Sequence, residues 1–167
     1  MYPDFEIHVD YEQLRGGNYR FRLLKPVTIY VEELESYREI LSLRDGNETE
    51  WALIEGCTIT ISAGYAWNGA SPKWWVPLIG WVGTPDPEST RLATLFHDVM
   101  FQFIRVDGFP INFIQANSIF RRIMVAKGFR FSNTYFGAVT DFGKRFITPP
   151  TNGEHSVLLT SPHLDHK

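Results

Sequence analysis

The stretch "RLATLFHDVMFQF", residues 91–103, decides the fold. Upstream of it, apolar residues recur at every second position. Within it, Leu92, Leu95, Phe96, Val99 and Phe103 recur every third or fourth position, the period of a helix face. Asp86-Pro87 just before it reads as an N-cap followed by proline at the first helical position. From Leu92 to Ile104 the segment is apolar on most sides, so the helix is expected to be buried.

Working outward, the N-terminal part reads as sheet. Tyr19, Phe21 and Leu23 alternate with Arg20, Arg22 and Leu24, and Val27, Ile29 and Val31 alternate with Thr28, Tyr30 and Glu32. "RDGNETE" (44–50) is a turn, and "WALIEGCTITISAGYAW" (51–67) supplies one or two further strands with Ile59 and Ile61 on one side. Downstream, a second helix is expected after "DGFP" (107–110). Its stripe is Phe113, Ala116, Phe120 and Met124, and it ends at Gly128. A third helix follows Ser132, with Tyr135, Ala138, Val139, Phe142 and Phe146 on one face and the surface pair Asp141 and Arg145 on another. Strands first and helices after imply an α+β domain: an N-terminal antiparallel β-sheet with hairpins, then three packed α-helices. That domain is expected over residues 1–147, with a polar tail rich in Pro, Thr and His over 148–167.

Composition removes several functions. The chain has 167 residues and a net charge of −3, which argues against binding nucleic acid through phosphate contacts. Its single cysteine, Cys57, excludes an internal disulfide and a Cys-based zinc cluster; a small buried hydrophobe is the expected role. No apolar run reaches the length of a membrane span. The N-terminal "MYPDFEIHVD" lacks the basic-then-apolar layout of a signal peptide, so folding in a reducing cytoplasm is expected. His155, His163 and His166 in the tail fit no standard metal spacing and read as solvated.

The candidate site starts from two polar residues on the apolar helix. His97 and Asp98 are adjacent, so their side chains point about 100° apart and each needs its own partner. Asn117 interrupts the apolar stripe of the second helix, and an inward Asn117 would meet one of them across an antiparallel helix pair. The aromatic loop "GYAWNGASPKWW" (64–75) is expected to close over the same place. There Asn68-Gly69 turns the chain, Ser71-Pro72 directs it away from helix, and Trp67, Trp74 and Trp75 supply contact area. A buried structural network and a functional site both satisfy these demands.

"AGYAWNGASPKW", "LATLFHDVMFQ" and "QANSIFRRIMVAKG", in that order, resemble the motifs of a family of small uncharacterised phage and prophage proteins. In that family a strand ends in G-[FY]-x-[WT]-[DN]-G-A-S-x-P, one helix carries H-D-x-x-[YF] and the next carries A-D-x-x-F. The resemblance spans roughly residues 55–145. This chain departs from the pattern with Asn117 in place of the frequent Asp, Phe101 in place of Tyr, and Pro72 directly after Ser71. The resemblance implies a phage or prophage origin and says little about activity, so two expectations stand side by side. One is a non-enzymatic component or accessory of the particle's tail or head, made in the host cytoplasm and assembled into the virion. It would act through contacts with other phage structural proteins, a role that admits oligomeric assembly. The other is a hydrolase whose His-Asp helix resembles that of calcium-dependent phospholipase A2. His97 would then be the base, Asp98 a Ca2+ ligand, Asn117 the orienting partner, and the Asn68-Gly69 loop a source of carbonyl oxygens. Cell-wall hydrolysis lacks a paired carboxylate arrangement.

Overall fold

A computed structural model describes residues 7–69, 74–76, 80–82, 88–142 and 155–159. The strands are β1 Tyr11–Gln13, β2 Phe21–Leu23, β3 Val27–Tyr30, β4 Ile40–Asp45, β5 Glu50–Glu55, β6 Thr58–Ile61, β7 Ala66–Trp67, β8 Trp74–Val76, β9 Gly80–Val82 and β10 His155–Leu159. The helices are α1 Glu88–Phe103, α2 Phe113–Ala126 and α3 Ser132–Phe142. The layout is α+β, with antiparallel sheets followed by three helices.

One sheet has the order β10-β4-β5-β6-β3, the second β1-β2-β7, and β8 pairs with β9 as a separate hairpin. The first two sheets share a bent ladder. β3 pairs with β6, β2 pairs with β7, and the bend between them is bridged by Leu23 N–H to Tyr65 O (2.8 Å) and Gly64 N–H to Leu23 O (2.7 Å). Gly64 sits at φ 90°, a conformation that side-chain-bearing residues rarely adopt, and it lets the strand turn there. The alternation read from sequence sets the faces. Val27, Ile29, Leu41, Leu43, Ala52, Ile54, Ile59 and Ile61 are buried and join Leu92, Leu95, Phe96, Val99 and Phe103 of α1 in one core.

The turn at 44–50 is built by Asp45, whose Oδ1 accepts N–H groups from Asn47 (2.9 Å) and Thr49 (3.0 Å). Within the stretch read as a polar tail, residues 155–159 form a strand on β4, with His155 opposite Asp45 and Leu159 opposite Leu41. The apolar run "VLL" (157–159) inside polar surroundings was the available signal, but an edge strand depends on the distant partner it pairs with.

α2 starts two residues after the expected "DGFP". Asn112 caps it: its side chain accepts from Gln115 N–H, and the Gln115 side chain accepts from Asn112 N–H, a reciprocal capping box. Gly128 (φ 71°) ends it, with Phe129 N–H bonded to Met124 O and Gly128 N–H to Val125 O. Asn112→Ala should lower stability by about 0.5–2 kcal/mol, measured as the shift of the urea midpoint at unchanged slope. Ala116, Phe120 and Met124 of the expected α2 stripe are buried. In α3, Tyr135 and Val139 pack against the core as expected. The Asp86-Pro87 cap, Arg145, Phe146 and the side chains of Ala138 and Phe142 lie outside the described residues. Among the described residues, no helix is long and apolar enough to cross a membrane.

Candidate functional site

α1 and α2 run antiparallel, since His97 faces Asn117 and Phe120 while Phe101 faces Phe113. Within this seam His97 Nε2 lies 3.0 Å from Asn117 Oδ1. With the amide oxygen turned to the ring, the Nε2–H donates and the lone pair sits on Nδ1. The imidazole is clamped by aromatic rings, Phe101 at 3.9 Å and Phe120 at 4.6 Å between centroids. His97 keeps a partial exposure, yet desolvation dominates its titration. Burial lowers its pKa to about 4, against which the Asn117 hydrogen bond pulls upward. The ring is therefore neutral throughout the physiological range.

Asn117 is only 1% exposed, and its Nδ2 is buried without an acceptor. An amide can hold the ring but cannot offer charge to an imidazolium. Asn117→Asp would supply that charge, and His97 should then titrate about 1–3 units higher, read from its ring resonances across a pH series by NMR. An unchanged titration would mean that the carboxylate is not formed beside the ring.

Asp98 points away from the seam toward the other side of α1. Its Oδ2 accepts the Asn68 backbone N–H at 3.4 Å, which ties the aromatic loop to the helix. Tyr65, buried on the same side, is held protonated: burial raises its pKa well above the ordinary phenol value, and the nearby Asp98 charge and Tyr19 add to this. Gly69 has φ 74°, the left-handed turn expected of Asn-Gly. His97 and Asp98 thus take separate partners, as their angular separation requires. Asn117 meets the histidine.

Trp67 belongs to the core rather than to a contact surface. It is 1% exposed, packs on Phe21 at 5.3 Å and Tyr11 at 6.3 Å, and its Nε1–H reaches Thr94 Oγ1 at 3.3 Å. Thr94 in turn donates to Arg91 O at 3.1 Å. Trp74 and Trp75 pair through their backbones with Val82 and Trp81; their side chains and all of Ser71 lie outside the described residues. Sequence reasoning missed Thr94, Tyr65 and the Phe101–Phe120 clamp. For Thr94 a signal existed, since it stands one turn before Asp98 on the helix face that meets the loop. Nothing local marked Phe120 as a histidine clamp.

Calcium wants six to eight oxygen ligands. Among the described residues Asp98 brings one carboxylate, already engaged with Asn68, and no group of three His, Cys, Asp or Glu side chains is placed to hold a metal ion. The described residues do not by themselves make a calcium site.

No family model, curated protein or solved structure matches the chain.

Proposed function

We propose that this chain is a phage-encoded protein that performs no catalysis and works through protein–protein contacts, as a component or accessory of the particle's tail or head. The observation that carries the non-catalytic part is the His97–Asn117 pair. Its histidine is clamped between two rings, has a pKa near 4, and is held by an amide rather than a carboxylate. A general base works best with a pKa near the operating pH, and this one lies far below it. The phage part rests on the order and spacing of the three motifs. Mass spectrometry of purified particles from the encoding phage is the test. The protein should be found there at a fixed ratio to the head or tail proteins. Absence from the particle, together with no binding to any purified particle protein, would overturn the reading.

A second reading, a hydrolase whose His-Asp helix resembles that of calcium-dependent phospholipase A2, is favoured by one observation. The histidine's hydrogen-bond partner comes from the antiparallel helix, which leaves Nδ1 as the acceptor of the ring. It requires hydrolysis that disappears in a folded His97→Ala variant.

A further inference from the structure

One face of the molecule carries two strips of opposite charge side by side. Residues 32–39 hold four glutamates and one arginine, and residues 121–131 hold four cations and no acid. The strips are neighbours because Arg122 of α2 reaches across to Glu32 (3.3 Å) and Glu33 (2.7 Å). The pairing consumes Arg122 and Glu33, which are mostly buried, and leaves Glu32 and Glu35 exposed on one side and Arg121 and Arg130 exposed on the other. Arg121 is held in place by Asn133 Oδ1 at 2.8 Å.

Exposed apolar residues follow the basic strip. Along the outer face of α2 and just beyond it, Ile114 is 74% exposed, Val125 48% and Phe131 58%. Ile114, Ser118, Arg121 and Val125 recur at i, i+4, i+7 and i+11, so they form one ridge down the helix. Exposed apolar side chains rimmed by charges of both signs are the composition of an interaction surface.

We propose that this face binds a second copy of the chain about a two-fold axis. The argument is charge complementarity. An acidic partner would suit only the basic strip and a basic partner only the acidic strip. A copy rotated by half a turn lays glutamates over arginines twice. A self-complementary patch of this kind is what an isologous interface requires. The proposal does not depend on the particle reading, and either can fail alone.

Sedimentation velocity of the purified chain over a concentration series tests it, with circular dichroism confirming that each variant is folded. The wild type should form a dimer at low salt that weakens roughly tenfold or more at high salt, since the contacts are solvent-exposed. Glu35→Arg and Arg130→Glu, each alone, should weaken the dimer by a similar factor. Mixing the two single variants should restore it, because the mixed pair again sets opposite charges against each other at both contacts. A wild type that stays monomeric at low salt overturns the proposal. So does a dimer indifferent to both reversals, which would use another face.

Discussion

Lowering the pH from 7 to 4.5 should remove roughly 2–3 kcal/mol of stability through His97 alone, because one pKa unit corresponds to about 1.4 kcal/mol. The folded chain holds the imidazole at a pKa of about 4, against 6.5 when unfolded. Between those values the unfolded state binds the extra proton and the folded state does not. Stability therefore rises with pH across that window, is fully present above about pH 6.5, and is lost as the pH falls toward 4. The measurement is urea unfolding of wild type and His97→Gln at intervals from about pH 7.5 to about pH 4. Carboxylates contribute to both proteins, so the difference between the two curves isolates the histidine. Parallel curves would show that His97 is already solvated, and the case against a working base would lose its support.

Trp67→Ala should destabilise the fold by about 3–5 kcal/mol, the range for truncating a fully buried large aromatic residue. Trp67 joins three parts of the molecule. Its ring lies against Phe21 on β2 and Tyr11 on β1, and its indole N–H reaches Thr94 on α1. Trp67→Phe keeps much of the apolar volume and loses only the hydrogen bond together with part of the packing. It should cost less, about 1–2 kcal/mol, because Thr94 retains its bond to Arg91 O. The comparison separates packing from polar tethering. Equal losses for the two variants would place the weight on the indole N–H, and a loss below about 1 kcal/mol for alanine would mean that the residue is not core.

Both effects involve residues first read as parts of a site, and their structural roles differ. That Asn117 meets either His97 or Asp98 was legible because a polar residue inside an apolar stripe must find a partner, and adjacent helices leave few choices. Trp67 was read as contact area because its neighbours in the chain are tryptophans and a turn. Its burial follows from pairing with Phe21 across a ladder, and a partner 46 residues upstream carries no local mark. The same reasoning covers β10. A strand at a sheet edge is made by the hydrogen-bonding row it meets, here on β4, and nothing within "HSVLL" names that row.

The sequence by itself determined the class of fold, the α1 and α2 core stripes, the cap at Gly128 and the pairing of α1 with α2 through His97 or Asp98. These rest on periodicities of two and 3.6 and on backbone conformations that few residues tolerate, all of them local properties. Only the tertiary structure decided which of the two polar residues meets Asn117, that Phe101 and Phe120 clamp the ring, and that the acidic turn lies beside the basic ridge of α2. Those outcomes depend on how helices rotate and settle against a shared core. Many packed side chains set that rotation together, and no short stretch of chain encodes it.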